Sequence, residues 1–468
     1  MSSSVQPYLR ALAGMASAQH EAARPALRLY TYPVPWDVIN VSADERALYE
    51  RILYRDPPHP EHAYIGAAQA VHRELPQRLP KATTPAEAAL FFLPLSPWHL
   101  CFAADHELQL KIKLKMIWDR AKPAPVERIM DPARYSGGWR MRVSTAWPRD
   151  QGLGAEFNRT MHTCKAYERA VQWVLLQPSW AAAPDRHVWM FEFPHWLRAS
   201  LRTEETHLGR AVSLYARMAK GILLAQEDRM ADWEQSRAAR HLVVVPFSTP
   251  DFFVYDLEAR GAKPITVAES SGSGVSCHRF DSPRSPGAFF CSHLSLQNPN
   301  LMRQAVKLAC EQLPGGAALS PLKRNVHYGS SFLLRKAALY NHSTFCIVPP
   351  GDSAMTPRIY SFTAALCIPV FTIPRTFLPF QSQIEWEKMS IEMSPEQARR
   401  ALRWYQRVSN ASTPVSSLPN PLVFLTKIPR QKVEEMQAEL ARVRALLLYQ
   451  GGGAVRAIAA ELAEMFGV

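Results

Sequence analysis

The chain has 468 residues, 47% of them hydrophobic, 10% aromatic and 20% charged, which suits a globular protein of two or three domains and excludes a disordered one. Its formal net charge of +13 favours anionic partners such as sugar nucleotides, acidic glycans, anionic membranes or nucleic acid. The basic residues are spread rather than blocked, which an Arg-rich surface also explains, and seven cysteines without a Cys-x-x-Cys pair argue against a zinc site.

Residues 1–26 read as a loose, Ala-rich leader, too weakly apolar for a good signal peptide or anchor, and no apolar run reaches the roughly 18–20 residues of a membrane span. Leu27–Val34 alternates and ends at prolines, as a first strand does. Tyr64–Pro76 has helical spacing through Ile65, Ala68, Val71 and Leu75. Ala88–Leu95 is a buried strand. Leu100–Arg120 and Arg159–Leu176 read as amphipathic helices, with a Pro- and Gly-rich insertion or long loop over 121–155 between them. His187–Pro194 is a strand, Leu201–Ala225 a helix, and His241–Ser248 another apolar strand. Residues 271–300 have loop composition. Asn300–Leu313, Ser331–Tyr340, Ser394–Val408, Gln431–Tyr449 and Ala454–Phe466 are helical, the last two separated by Gly451-Gly452-Gly453. Strands apolar throughout, alternating with helices, predict parallel sheets covered on both faces. One such block ends near residue 235 and another starts near 240.

The most informative stretch is Tyr340–Trp386. Thr344–Val348 is a short apolar strand, and Pro349, Pro350 and Gly351 force a turn. Thr356 can cap the next element, and Pro357 suits a first helical position. Arg358–Ala365 continues as a helix, and Cys367–Thr372 returns as a strand, which completes a βαβ unit. Its ligand is expected at the carboxyl ends of the strands, with Arg358 in the first turn of a helix whose free N–H groups favour an anion. Cys346 and Cys367 are read as buried thiols, and Cys277 and Cys291 as a pair that could join in an oxidising compartment.

Residues STFCIVPPGDS, PRIYSFTAALCIPVF, FLPF and IEWEKMS in this stretch resemble, in order and spacing, the C-terminal half of the exostosin family, glycosyltransferase family 47. The segments around 84–95, 178–194 and 241–248 resemble its N-terminal half. The resemblance implies an α/β, GT-B-like fold: two Rossmann-like domains facing across a cleft, with C-terminal helices packing back. On this chain that gives a leader over 1–26, an acceptor-side domain over 27–235, a nucleotide-sugar domain over 240–430 and closing helices over 431–468. It implies an inverting transferase that moves a sugar from a UDP-sugar to a glycan or glycoprotein, with an acidic polysaccharide and an oligomeric partner both compatible and no nucleic acid. It also implies the Golgi lumen or membrane, which the sequons at Asn40, Asn158, Asn341 and Asn410 permit. In two places the chain departs from the family pattern: Ser361 stands where a carboxylate is usual, three residues after the Arg, and Leu366 stands where a Gly precedes the Cys. These departures leave open an alternative, a weakly active or silent glycan-binding protein of the same fold.

Sugar transfer requires neutralisation of a leaving diphosphate and deprotonation of an attacking hydroxyl. Arg358 and a close backbone approach at Gly351 meet the first demand. Asp352 and Ser353 either bond ribose or sugar or cap the helix. At Ser361 a hydroxyl makes a weaker, neutral contact than a carboxylate, and Glu269, Glu385 and Glu387 are each either a substitute or simply a solvated charge. The basic donor contact usual in the family has candidates in Arg279, Arg284 and Arg303. For the base, Glu192 is a carboxylate within an apolar strand, either a base with a raised pKa or half of a buried ion pair, and His195, just past the strand's end, either faces the cleft as a base or is a structural histidine. His187, at its start, reads as structural. Trp98, Trp180, Trp196 and Trp386 either stack on sugar or uracil rings or pack the core. No Asp-x-Asp is present, and basic side chains and helix ends serve in its place, so no metal and no cofactor beyond the UDP-sugar substrate is expected.

Overall fold

The computed structural model describes residues 27–53, 63–96, 100, 117–120, 139–142, 166–191, 217–218, 220–226, 242–246, 290–293, 301–313, 316–319, 340, 343–349, 358–372, 378–409 and 418–467. The described strands are β1 (Leu29–Thr31), β2 (Leu90–Phe92), β3 (Ile117–Arg120), β4 (Trp139–Arg142), β5 (His187–Phe191), β6 (Ile222–Ala225), β7 (Leu242–Val244), β8 (Phe290–His293), β9 (Gly316–Leu319), β10 (Phe345–Val348), β11 (Ile368–Phe371) and β12 (Ile391–Glu392). The longer helices are α1 (Ala43–Leu53), α2 (Ala63–Arg78), α3 (166–175), α4 (Leu301–Glu311), α5 (Arg358–Ala364), α6 (Pro395–Ser409), α7 (Arg430–Val443) and α8 (Gly453–Met465).

The first sheet runs β1-β2-β5-β6-β7, parallel throughout. Period-two alternation gives it two apolar faces. Leu29, Leu90, Phe92, Val188, Met190, Ile222 and Leu224 share a core with Ala67, Ala68, Val71 and Leu75 of α2 and with α8. Tyr32, Phe91, Trp189 and Leu223 pack with Tyr49 and Leu53 of α1 and Ala166, Ala170 and Val174 of α3. α2 shares the first of these faces with α8, which comes from the far end of the chain and packs there against α2 and β7.

Three readings of the sequence are corrected here. Residues 222–225, placed at the end of a helix from Leu201, form the wholly buried strand β6. The residue before it explains why: a Cβ on Gly221 would run into the His187 carbonyl and lie 2.9 Å from Trp189 Nε1, so a glycine lets this segment come up against β5. Residues 117–120 and 139–142, assigned to a helix and a loop, pair as an antiparallel ribbon. Trp139 and Met141 alternate there with Arg140 and Arg142, a period of two that the Pro and Gly around it had masked. Finally, the strand assigned to the start of the second block, β7, pairs with β6 in the first sheet.

The second sheet has the order β12-β11-β10-β8-β9, again parallel throughout. The chain steps from β8 to β9 on one side. It then returns past β8 to β10 and continues outward to β11 and β12, so the order reverses between β8 and β10. The βαβ unit foreseen in the sequence is present as β10, α5 and β11, with Phe345 opposite Ile368. Its cysteines are corrected from thiols to a disulfide. Register places Cys346 opposite Pro369 and leaves Cys367 on the diagonal, with the two Cα atoms 5.7 Å apart, within bonding span.

α6 opens with a capping box: the Ser394 N–H donates to Gln397 Oε1 at 2.7 Å, and the Gln397 N–H donates to Ser394 Oγ at 3.1 Å. α7 packs on β11, and the turn Arg444–Leu447 touches both α5 and α8. Gly451 and Gly452 then take left-handed φ values of 70° and 71°, which lets the chain redirect into α8. Tyr449 Oη donates to the Pro246 carbonyl at 2.9 Å just before that bend. The closing helices thus touch both sheets, and one apolar core runs through them.

Candidate functional site

In open parallel sheets a ligand crevice forms at the carboxyl ends of the strands where the order reverses, because the helices on either side of that point leave on opposite faces. In the second sheet those ends are His293 of β8 and Val348 of β10. The segment leaving β10 passes through Gly351, Asp352 and Ser353, all outside the described residues, and re-enters at α5. Arg358 opens α5 and is half-buried. Ser361 lies one turn further on and is 5% exposed. Tyr360, Phe362 and Ile359 are wholly buried, so the helix is fixed by its apolar sides and its first residue is held at the reversal.

The second helix at this point is α4, which follows β8. Arg303 sits in its first turn and is 7% exposed. An arginine thus stands in the first turn of each helix that follows a strand flanking the reversal. Of the three basic candidates, Arg279 and Arg284 lie outside the described residues. Strand order singles out Arg303, which spacing along the chain could not. His293 also escaped sequence reading, because β8 lies in a stretch of loop composition; short apolar Phe289-Phe290 was the signal.

The other candidates fall elsewhere. Glu192, His195, Glu269, Trp98 and Trp196 are outside the described residues. Glu385 is exposed and ion-paired with Lys388 at 2.7 Å, in a turn that packs against α7. Trp386 is a core residue, 1% exposed, whose Nε1–H donates to the Pro379 carbonyl at 2.9 Å. Trp180 is likewise buried, edge-on to His187.

His187 begins β5 and so lies at the amino edge of the first sheet, away from the carboxyl ends. It is 1% exposed and stacks on Phe91 with centroids 4.6 Å apart. Its Nδ1 lies 2.9 Å from the Ala183 carbonyl, which can only accept, so Nδ1 carries the proton. Nε2 then accepts from Tyr32 Oη at 2.8 Å, and Tyr32 Oη accepts from Ser179 Oγ at 2.6 Å. Burial pulls the imidazole down from 6.5 to about 4 and pushes the Tyr32 phenol up to about 12. Both groups are neutral at physiological pH and act as a structural clasp.

Parallel sheets with helices between the strands make this an α/β protein compatible with a Rossmann-like glycosyltransferase fold. The chain belongs to the exostosin GT47 family, whose model matches residues 152–408. It is also similar to a protein of Arabidopsis thaliana named as the probable arabinosyltransferase ARAD1, 31% identical over 118 residues. That similarity covers 25% of this chain and 22% of the Arabidopsis protein.

Proposed function

We propose that the protein is an inverting glycosyltransferase that binds a UDP-sugar at the order reversal of the second sheet and passes the sugar to a glycan or glycoprotein acceptor. The observation that carries this is the position of Arg358, at the head of the helix that follows β10. A diphosphate there meets a guanidinium, which binds phosphate in two-pronged fashion. Charge developing on the leaving UDP is neutralised without a metal. The two sheets take the parts of a GT-B enzyme, the first offering acceptor contacts, with Glu192 and His195 as the base candidates. The arabinosyltransferase relative makes a pentose donor the first to try. A Golgi lumen is consistent with the Cys346–Cys367 disulfide, which needs an oxidising compartment.

The test is calorimetry with UDP together with transfer assays across UDP-pentoses and UDP-hexoses. Arg358→Ala is expected to lower kcat/KM by roughly 10²–10³-fold, and chelation of divalent cations to leave turnover unchanged. Unaltered turnover in the variant removes the diphosphate role. The silent glycan-binding reading is favoured by Ser361, whose buried hydroxyl replaces a charge; UDP binding without turnover on any donor selects it.

A further inference from the structure

The exposed face of α6 carries Glu396, Arg399, Arg400, Arg403, Gln406 and Arg407, while Ala398, Ala401, Leu402 and Trp404 face the core. Arg400 pairs with Glu396 at 3.1 Å. Among the described residues, Arg399, Arg403 and Arg407 make no ion pair, so the helix keeps a net charge of +3. α7 is built differently: Arg430 pairs with Glu434, Lys432 with Glu435, and Arg442 with Glu439. Like charges spaced by four residues repel along a helix, so the α6 pattern works against the stability of its own helix where the α7 pattern supports it. The three arginines stand four residues apart, which sets them about 6 Å apart along the helix in a single row.

We infer that this row is a docking surface for a linear polyanionic glycan, apart from the donor site. A row of evenly spaced guanidinium groups matches a chain of repeating carboxylates better than it matches one compact anion. The exposed face offers no apolar side chain to enter a bilayer and no aromatic ring on which a base could stack. Tyr405, the nearest ring, is tied to Gln304 of α4. The disulfide places folding in an oxidising compartment, away from nucleic acid. The choice of a glycan rests on the glycosyltransferase reading. α6 packs on α4, whose first turn holds Arg303, so a bound chain lies on the domain that carries the donor.

The experiment compares the full chain with R399Q/R403Q/R407Q, using polygalacturonate as the probe, dextran as its neutral counterpart, and phosphatidylserine vesicles and single-stranded RNA as competing polyanions. The parent is expected to bind polygalacturonate, to lose roughly tenfold in affinity between 50 and 200 mM salt, and to ignore dextran. The triple variant is expected to melt at the parental temperature, bind UDP as the parent does and lose at least tenfold for polygalacturonate. Equal polygalacturonate binding by the two proteins, or preference for vesicles or RNA through the same arginines, overturns the inference. Loss of UDP binding in the parent with polygalacturonate binding intact removes the donor-site reading and leaves this surface standing.

Discussion

Leu366 shows how a single position records a family's geometry. The Cys367 N–H donates to the Phe362 carbonyl at 2.9 Å and the Leu366 N–H to that of Thr363 at 3.1 Å, the paired bonds of a Schellman stop. That stop calls for a left-handed residue, and Leu366 has φ 55°. A Cβ there costs about 1–2 kcal/mol, which explains why glycine is usual and what this chain forgoes by keeping a leucine partly buried against the core. Leu366→Gly is therefore expected to hold stability within about 1 kcal/mol of the parent, where an ordinary large-to-small core change loses about 2–5. Urea unfolding decides it, and a loss above about 2 kcal/mol would show that packing outweighs the strain. His187 gives a second test. Its folded pKa of about 4 lies below the unfolded value of 6.5, so its contribution is complete above pH 6.5 and is lost as pH falls towards 4. That contribution is about 3 kcal/mol. Unfolding curves between pH 7.5 and 4 are expected to show it, and His187→Gln to flatten the dependence. The rings that bury it, Phe91 among them, come from far away in sequence, so the low pKa was not legible in the strand pattern, though the reading of a structural histidine was.

At the scale of elements, the βαβ unit is held at two points. Its strands pair in register, and the Cys346–Cys367 bridge closes a loop of 21 residues that contains α5 and the segment leading to Arg358. A loop of that length restrains the unfolded chain by about 3 kcal/mol. The double variant C346A/C367A is expected to lose about that much, with UDP affinity falling as α5 loosens. Denatured but unreduced protein should shield both cysteines from alkylation, and labelling of either one shows the bridge is not formed. The sequence presented this unit clearly because its strand, turn, cap and helix signals are all local. It did not present the disulfide, because whether two cysteines meet depends on register between strands, and register is a long-range property. The same reasoning accounts for β6: Ile-Leu-Leu-Ala suits a buried helix or a buried strand, and only its neighbours β5 and β7 decide.

The whole molecule depends on its last helix. Without α8, the core that Val188 and Ile222 of the first sheet share with Val71 and Leu75 of α2 would lose part of its cover. The joint is tight: a Cβ on Gly453 would collide with the Ala445 carbonyl, a backbone atom that cannot step aside. Gly453→Ala is expected to cost more than about 2 kcal/mol, to expose apolar surface to a hydrophobic dye and to leave UDP binding in the second sheet less affected than stability. Equal stability would mean that α8 docks by another route. Taken alone, the sequence determined the α/β class, the family and the arginine-led helix, because strand and helix periods, a Pro-Gly turn and a helix start are written in residues that are neighbours along the chain. Tertiary structure decided which sheet β7 joins, that the second sheet reverses between β8 and β10, that Arg303 shares that reversal with Arg358, and that two cysteines bond. Each of these turns on which strands lie side by side, and lateral order is set by burial of faces contributed from distant parts of the chain.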